Sequence, residues 1–251
     1  MVVESFRLDG RVAVVTGAGR GIGAAIARGL AEAGAHVAVS ARTESDLQAV
    51  ARDVEACGRT ALVVPGDLSD RGAMVSLVAS TVERFGRLDV LVNNVGGTGP
   101  AAFLDVSEQS FERSFSWNVT TAFNMTQAAV PHLLDSDAAA VVNISSAAGR
   151  HASRGFIAYG TAKAALIQLT RHLAAELAPR IRVNSIAPGA IATEALAGIL
   201  TEDLEEAMVA GTPLRRIGMV DDVAAAAVYL CSPASSYVTG QVLPVDGGTQ
   251  A

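Results

Sequence analysis

Several features of secreted, membrane-spanning and nucleic-acid-binding proteins are missing from this sequence of 251 residues. It has two cysteines, Cys57 and Cys231, which lie far apart and outside any C-x-x-C pattern. This favours two free thiols in a reducing compartment. The first residues do not combine a positively charged start with an apolar run, so we expect no signal peptide and a cytoplasmic protein. No run of roughly 18 or more apolar residues predicts a membrane span.

Charge of one sign is also not concentrated anywhere in the chain. The formal net charge is −6 and the arginines are scattered, so the sequence contains no basic stripe for nucleic acid. The four histidines have no metal-ligand spacing, and we expect no metal site. Half of the residues are hydrophobic, and no linker, repeat or low-complexity tract divides them. We therefore expect one domain over residues 1–251.

Short apolar segments alternate with segments of helical pattern along the chain. We predict strands at Arg11–Thr16, His36–Ser40, Thr60–Val64, Leu88–Val92, Ala139–Ile144, Ile181–Ala187 and Gln241–Val245. We predict helices after Gly23, at Glu44–Ala56, at Asp70–Phe85, around Tyr159 as far as Pro179, at Asp221–Leu230, as one long helix at Ser107–Leu134, and as a mobile helix at Thr193–Met208. This alternation predicts an α/β fold, a doubly wound parallel sheet that binds ligands at the carboxyl ends of its strands.

A glycine-rich segment follows the first predicted strand. Thr16 is followed by Gly17-Ala-Gly-Arg-Gly-Ile-Gly23 and then by a helical pattern. Glycines allow a tight turn and a close approach of the backbone to a pyrophosphate, which then lies at the positive end of the helix. The alternative is a plain glycine-rich turn without a ligand.

Lysine is almost absent, because 18 of the 19 basic residues are arginine and Lys163 is the only lysine. It lies four residues after Tyr159, on the same face of a predicted helix. An ammonium beside a phenol lowers the phenol pKa from about 10 and gives an acid/base that works near neutral pH. Ser146, thirteen residues before the tyrosine, is a candidate hydrogen-bond donor to the same substrate oxygen. Chance spacing is the alternative, since Y-x-x-x-K is a short motif.

Together these motifs resemble those of the classical short-chain dehydrogenase/reductase (SDR) family. The resemblance covers nearly the whole chain and rests on Thr16–Gly23, Asn93–Gly96, Asn118, Ser146 with Tyr159 and Lys163, Pro188–Thr193 and Asp246–Gly248. Val95 departs from the family pattern, which usually has alanine at that position. The resemblance implies a Rossmann-like fold and an NAD(P)-dependent oxidoreductase that acts on CH–OH or C=O groups.

The resemblance also implies a role for each motif residue. Tyr159 would be the acid/base, Lys163 would lower its pKa and hold the nicotinamide ribose, and Ser146 would orient the substrate oxygen. Asn118 is similar to the residue whose helix distortion holds a proton-relay water, although a satisfied polar group in a helix is the alternative. A simple turn former is the alternative for Asp67. The implied cofactor contacts are Gly17, Arg20, Gly21, Ile22, Gly23, Arg42, Asp67, Leu68, Asn94, Gly96, Tyr159, Lys163, Pro188, Gly189, Ile191 and Thr193.

The end of the second predicted strand bears on the choice of cofactor. NAD-preferring sites usually place Asp or Glu there to bind the ribose 2′-hydroxyl, whereas this chain has Ala41 followed by Arg42. A guanidinium suits a 2′-phosphate, and Arg20 in the glycine-rich segment is a second candidate. NADP(H) is therefore favoured over NAD(H). The alternative is that Arg20 is solvated and that Arg42 pairs with Glu44 or Asp46.

The expected substrate wall is small or apolar, which suits a hydrophobic ketone or secondary alcohol. It consists of Gly97, Thr98, Ala147, Ala148, Phe156, Ala190, Leu196 and Leu200, with His151 and Arg154 as candidates for the rim. A 3-oxoacyl-[acyl-carrier-protein] reductase is the second interpretation, with Arg180 and Arg182 in its favour and the acidic segment Asp135–Asp137 against it. A non-catalytic NADP-binding regulatory protein is the alternative from a different class. The family resemblance implies a homo-oligomer, a tetramer or a dimer.

Overall fold

The computed structural model describes residues 1–198 and 200–249, which form a seven-stranded parallel sheet covered by helices. The strands lie in the order β3-β2-β1-β4-β5-β6-β7. Their bounds are β1 Val12–Thr16, β2 His36–Ser40, β3 Ala61–Val63, β4 Val90–Asn93, β5 Ala139–Ile144, β6 Ile181–Pro188 and β7 Val242–Val245. This confirms the predicted doubly wound, Rossmann-like α/β fold. Residues 199, 250 and 251 of the expected domain lie outside the described residues.

Helices join successive strands and cover both faces of the sheet. Their bounds are α1 Gly21–Glu32, α2 Glu44–Ala56, α3 Arg71–Phe85, α4 Glu108–Phe115, α5 Thr121–Leu133, α6 Ile157–Leu177, α7 Glu194–Ala197, α8 Glu202–Gly211 and α9 Val220–Cys231. Side chains of α1, α2 and α9 pack on one face, and those of α3, α5 and α6 pack on the other. Ala13 and Val15 of β1 face the first set and Val14 the second, because successive residues of a strand alternate. Among the described helices, none is long and apolar enough to span a membrane.

The long helix predicted over Ser107–Leu134 is interrupted. It consists of α4 and α5, joined by a π-helical turn at Ser116–Thr120. There the carbonyl of Ser116 accepts the N–H of Thr121, five residues further on, so the chain makes one wider turn. Asn118 lies inside this turn and is fully buried. A single continuous helix was therefore the wrong prediction for this segment.

The helix predicted over Thr193–Met208 is also wrong, because the segment contains two helices, α7 and α8. The hydroxyl of Thr193 accepts the N–H of Leu196 and caps α7, and Thr201 caps α8 in the same way. In a continuous helix these N–H groups would bond carbonyls of the preceding turn. Here each bonds a threonine hydroxyl, which marks the start of a separate helix. Ile199, between the two helices, lies outside the described residues.

A buried carboxylate joins strands at the amino edge of the sheet. Asp89, just before β4, has a fully buried side chain that accepts hydrogen bonds from the N–H of Val12 at 2.9 Å and the hydroxyl of Ser136 at 2.6 Å. The guanidinium of Arg87 donates two further bonds at 2.7 and 2.8 Å. Burial raises the pKa of Asp89, but the bonds from Arg87, Ser136 and Val12 outweigh it and hold the pKa below its usual value.

Replacing this residue (Asp89→Ala) should lower the free energy of unfolding at neutral pH by about 3 kcal/mol, because buried donors lose their acceptor. Since the folded-state pKa is depressed, the contribution of Asp89 is complete above the unfolded value of about 3.9. It is lost as the pH falls through the lower folded value. Urea unfolding of wild type and variant at a series of pH values measures the difference.

The matched control is Asp137→Ala, which removes an exposed carboxylate paired with Arg11 beside the same cluster. Its loss should be much smaller, because an exposed ion pair is screened by water. Equal destabilisation by the two variants would contradict the role given to the buried carboxylate.

Candidate active site

Two glycines at the glycine-rich loop between β1 and α1, Gly17 and Gly23, lie where a side chain is disfavoured or excluded. Gly17 has φ +62°, and Nδ2 of Asn94 donates hydrogen bonds to the carbonyls of Thr16 and Gly17 at 3.1 and 3.0 Å. A Cβ on Gly23 would lie 2.5 Å from this Nδ2 atom, so only glycine fits there. Arg20, the N-cap residue of α1, makes no side-chain cap, and the first N–H groups of the helix lack that acceptor. A pyrophosphate fits such a helix N-terminus.

A cavity of about 300 Å³ adjoins this loop at the carboxyl ends of β1 to β4; we refer to it as the β1–β4 cavity. The predicted contacts Arg42, Leu68 and Asn94 lie together in its wall. Asp67 does not line this cavity. Its carboxylate accepts the N–H of Ser69 at 2.9 Å, and this bond holds the pKa of Asp67 below its usual value. This geometry matches a turn former. The lining residues are Gly17, Gly19, Arg20, Ala41, Arg42, Thr43, Asp46, Gly66, Leu68, Asn94, Val95, Gly96 and Trp117.

Seven of these lining residues are absent from the contacts expected from the sequence, and they are Gly19, Ala41, Thr43, Asp46, Gly66, Val95 and Trp117. Trp117 is the only tryptophan of the chain and directly precedes Asn118. Its position next to a motif residue was the sequence feature that could have marked it as a site residue. Asp46 lies beside the loop, since a Cβ on Gly19 would be 3.2 Å from its Cβ. Within residues 1–198 and 200–249, no ion pair joins Arg42 to Asp46 or to Glu44.

Two consecutive serines follow β5, and they differ in what they contact. The hydroxyl of Ser145 is buried and donates to the carbonyl of Ile186 at 2.9 Å, so it ties β5 to β6. The hydroxyl of Ser146 accepts the N–H of Ala148 at 3.2 Å and is close enough to the Tyr159 hydroxyl to affect its pKa. The geometry therefore brings Ser146, rather than Ser145, to the tyrosine.

Lys163 is buried beside the same tyrosine. Its Nζ donates to the carbonyl of Ile144 at 2.8 Å and lies 5.7 Å from the centroid of the Tyr159 ring. A Cβ on Gly96 would lie 2.7 Å from this Nζ and 2.6 Å from Oδ1 of Asn118. The four predicted catalytic residues therefore come together from α6, the end of β5 and the π-helical turn.

The pKa values at this cluster differ from the expectation. Burial raises the pKa of Tyr159, and the nearby Ser146 hydroxyl opposes the rise without overcoming it. Burial also lowers the pKa of Lys163 from 10.5 to about 7. The expected lowering of the tyrosine pKa by the lysine is not found in the protein alone. The reason is that Nζ lies over the ring face, bonded to a backbone carbonyl, while burial disfavours the charged form of both groups.

Both ends of the Asn118 amide are used within the protein. Oδ1 accepts the N–H of Gly97 at 2.8 Å, and Nδ2 donates to the carbonyl of Ser114 at 2.9 Å. These bonds tie the π-helical turn to the segment that follows β4. Asn118 is thus a satisfied polar group in a distorted helix, and a proton-relay role stays a prediction.

The segment after β6 reaches the glycine-rich loop from the opposite side. A Cβ on Gly21 would lie 3.5 Å from Cγ2 of Thr193, so Thr193 borders the start of α1. Gly189 packs against the backbone of Asp246, with only 2.8 Å between a Cβ there and the Asp246 Cα. Ile191 is buried in the core beside Gly218 and forms a β-bridge with it.

The predicted substrate wall is divided among three cavities, and Ala190 lines one of about 510 Å³. Ala148 and Phe156, with the rim candidates His151 and Arg154, line a cavity of about 1050 Å³, and Phe156 lies 6.0 Å from Tyr159 between ring centroids. Leu196 and Leu200 line another cavity, of about 880 Å³, beside the glycine-rich loop. No group of three or more His, Cys, Asp or Glu residues in the described chain is arranged to hold a metal ion.

Comparisons with known proteins match almost the whole chain. A family model described as Enoyl-(Acyl carrier protein) reductase matches residues 17–250. An uncharacterized oxidoreductase of Mycobacterium tuberculosis is 52% identical over 250 residues, 99% of this chain and 95% of that protein. A solved 7α-hydroxysteroid dehydrogenase complexed with NADH and 7-oxo glycochenodeoxycholic acid is 38% identical, with a TM-score of 0.94 and coverage of 98% and 96%. A solved short-chain type dehydrogenase/reductase of Mycobacterium marinum is 35% identical, with a TM-score of 0.94 and full coverage of both chains.

Because Lys163 is the only lysine, selective labelling of lysine side chains should give one NMR signal, and this signal should titrate near pH 7 without added nucleotide. Between that value and 10.5 the unfolded chain binds the proton more tightly than the folded chain does. Stability should therefore rise with pH in this range, and the rise should be smaller in Lys163→Met. A titration at the ordinary value, or an equal pH slope in the variant, would contradict the burial argument.

Proposed function

This chain belongs to the short-chain dehydrogenase/reductase family, and from that premise we propose that it transfers a hydride between NADP(H) and a hydrophobic ketone or secondary alcohol. It is an oxidoreductase that acts on CH–OH or C=O groups, and its fold binds a nicotinamide cofactor. The observation that carries the proposal is the cluster of Ser146, Tyr159 and Lys163 at the carboxyl end of β5.

The proposed mechanism assigns one proton transfer to this cluster. In reduction, hydride adds to the carbonyl carbon and a proton adds to the oxygen, which gives the secondary alcohol. The nicotinamide supplies the hydride when it is bound. Tyr159 donates the proton from its hydroxyl, and Ser146 donates a hydrogen bond that orients the carbonyl oxygen. The raised pKa of Tyr159 keeps this hydroxyl protonated at neutral pH, as a proton donor requires.

Several residues fit the cofactor that this mechanism needs. The tight glycine-rich loop and the uncapped start of α1 suit the pyrophosphate, with Gly21, Ile22 and Gly23 in the first turn. Lys163 is the donor proposed for the nicotinamide ribose. The remaining proposed contacts are Gly17, Arg20, Arg42, Leu68, Asn94, Gly96, Tyr159, Pro188, Gly189, Ile191 and Thr193.

Replacing the proposed acid (Tyr159→Phe) should lower kcat for any accepted ketone by at least about a hundred-fold, because the proton donor is lost while the ring remains. The measurement follows the absorbance of the reduced nicotinamide over a panel of hydrophobic ketones, with calorimetric cofactor binding as the check on folding. Tyr237→Phe, at a fully exposed tyrosine, is the matched control and should leave the rate unchanged. Unchanged turnover in Tyr159→Phe would reject the catalytic proposal in favour of a non-catalytic NADP-binding regulator.

The preference for NADP(H) rests on the wall of the β1–β4 cavity. Ala41 offers no acceptor for a ribose 2′-hydroxyl, and the neighbouring Arg42 has no ion pair among the described residues. A guanidinium there suits a 2′-phosphate. Asp46 in the same wall acts against this preference, because a carboxylate repels a phosphate.

Thermal stabilisation by equal concentrations of NADPH and NADH measures this preference, because a ligand that binds only the folded state raises Tm. NADPH should give the larger shift, and Arg42→Ala should remove the advantage by weakening NADPH about ten-fold. Asp46→Asn should increase the NADPH shift by removing the like charge. Arg52→Ala, on the exposed face of the same helix α2, is the control and should change neither shift. A larger shift with NADH in the wild type would reject the preference.

The substrate proposal is a bulky hydrophobic carbonyl compound or alcohol. It is supported by the apolar side chains Phe156, Leu196 and Leu200 near the site. The similar 7α-hydroxysteroid dehydrogenase was solved with a 7-oxo glycochenodeoxycholic acid, and a compound of that bulk fits this proposal. The apolar wall binds the substrate by burying its apolar surface, and the Ser146 and Tyr159 hydroxyls orient its carbonyl group.

An acyl-carrier-protein reductase remains the second candidate, because the matching family model is described by that kind of substrate. The charged residues weighed for and against this substrate, Arg180, Arg182 and Asp135–Asp137, do not decide between the two candidates. All of them lie near the amino ends of β5 and β6, away from the site. Arg180 donates to the carbonyl of Leu134, and Arg182 donates to the carbonyl of Leu230 at 3.0 Å. Neither arginine therefore offers a basic patch at the cavity mouth.

The proposal includes a homo-oligomer, a tetramer or a dimer, and a cytoplasmic location. Large apolar side chains, Phe111, Phe123 and Ile157, are 36 to 42% exposed on α4, α5 and the start of α6. A second copy of the chain would cover such a surface. The free thiols of Cys57 and Cys231 suit a reducing compartment.

A further inference from the structure

We infer that Trp117 is the stacking surface for the adenine base of the cofactor and that its emission reports occupancy of the adenosine half of the site. This inference rests on the proposed binding of a nicotinamide dinucleotide, and it adds a residue that the family motifs do not contain. Its basis is the position of the indole in the β1–β4 cavity.

The indole occupies the one place in the cavity wall where a flat apolar group is offered. Trp117 is the only aromatic residue among the described residues that line the β1–β4 cavity. The other large apolar side chains there, Leu68 and Val95, come from the loops after β3 and β4. The charged groups, Arg20, Arg42 and Asp46, lie in the walls built by the glycine-rich loop, the end of β2 and the start of α2. The cavity therefore separates an apolar part from a part suited to phosphate.

The chemistry of the cofactor's adenosine half has the same division. Its phosphates and ribose need cations and hydrogen-bond donors, whereas adenine is flat and aromatic and stacks on aromatic side chains. A volume of about 300 Å³ is at the small end of ligand pockets, which suits an adenosine group rather than a whole dinucleotide. Adenine is the part of the ligand that matches the wall containing Leu68, Val95 and Trp117.

The π-helical turn explains how one helix serves two parts of the site. Trp117 and Asn118 are consecutive in this turn, yet the indole lines the β1–β4 cavity while the amide of Asn118 bonds the N–H of Gly97 at 2.8 Å. The indole is only half-buried, and its N–H has no hydrogen-bond partner among residues 1–198 and 200–249. A tryptophan used only for packing would bury its ring and pair its N–H, since the polar tip of a buried indole normally finds an acceptor.

The test uses the single tryptophan as its own probe. Adenosine 5′-monophosphate and adenosine 2′,5′-bisphosphate should change the tryptophan emission in a saturable way, whereas nicotinamide mononucleotide should not. The two adenosine fragments lack the reduced nicotinamide that would otherwise absorb the emission, so their response reports contact with the base. Calorimetry of the same titrations gives each dissociation constant independently of fluorescence.

Variants at the same position separate stacking from packing. Trp117→Phe keeps an aromatic face and should hold the dissociation constant of adenosine 2′,5′-bisphosphate within about three-fold, whereas Trp117→Leu should weaken it on the order of ten-fold. In Trp117→Leu the KM for NADPH should rise by a similar factor, with kcat at saturating cofactor unchanged. Phe6→Leu removes an aromatic ring far from the cavity and should change neither constant.

The outcomes distinguish this inference from the proposed function. Fragment binding in calorimetry without an emission change, or wild-type affinity in Trp117→Leu, would overturn the inference while ketone turnover still supports the oxidoreductase. An emission response to adenosine fragments without turnover of any ketone would uphold the indole contact and reject the proposed reaction. Absence of binding by every nucleotide would reject both.

Discussion

Parallel pairing forces a crossover after each strand before the next strand can be added to the sheet. As a consequence, all seven carboxyl ends meet at one edge, and segments that are distant in sequence become neighbours there. The glycine-rich loop follows β1, Asn94 follows β4, Ser146 lies just beyond β5, and Gly189 follows β6. Strands β2 and β3 are added on one side of β1, and the chain then crosses over to add β4 on its other side. This switch in strand order opens the crevice in which the β1–β4 cavity lies.

Buried polar side chains near that edge fix how the strands and helices meet. Nδ2 of Asn93 donates to Oδ1 of Asn143 at 2.9 Å and to the hydroxyl of Thr126 on α5 at 3.0 Å. Nδ2 of Asn143 in turn donates to the hydroxyl of Thr170 on α6 at 2.9 Å. Buried polar groups are costly unless they are paired, so this chain of bonds holds β4 and β5 in one register and docks both helices. The docking of α6 positions the tyrosine and the lysine of the candidate site.

The sequence predicted those elements whose cause is local. The strands at His36–Ser40 and Ala139–Ile144 have the predicted bounds, because an apolar run between turn residues ends where burial ends. The helical periodicity of the sequence does not show the π-helical turn around Asn118, since the periodicity continues through it and the wider turn accompanies a bond to Gly97, 21 residues earlier. Only the family resemblance implied a helix distortion at this residue. The cavity contact of Trp117 depends on the same turn. Tertiary contacts, which no local pattern contains, decide all of these features.

The pKa values of the candidate site could not be predicted from the sequence pattern either, because they depend on burial. The Y-x-x-x-K spacing correctly predicts that Tyr159 and Lys163 are neighbours, but the charge of each group depends on how much water remains around it. Burial disfavours both the phenolate and the ammonium, so the pair is more stable in its neutral form than as an ion pair. A neutral tyrosine holds the proton that a carbonyl oxygen must receive. In alcohol oxidation the same residue would have to accept a proton as a phenolate, a form that a further positive charge would stabilise.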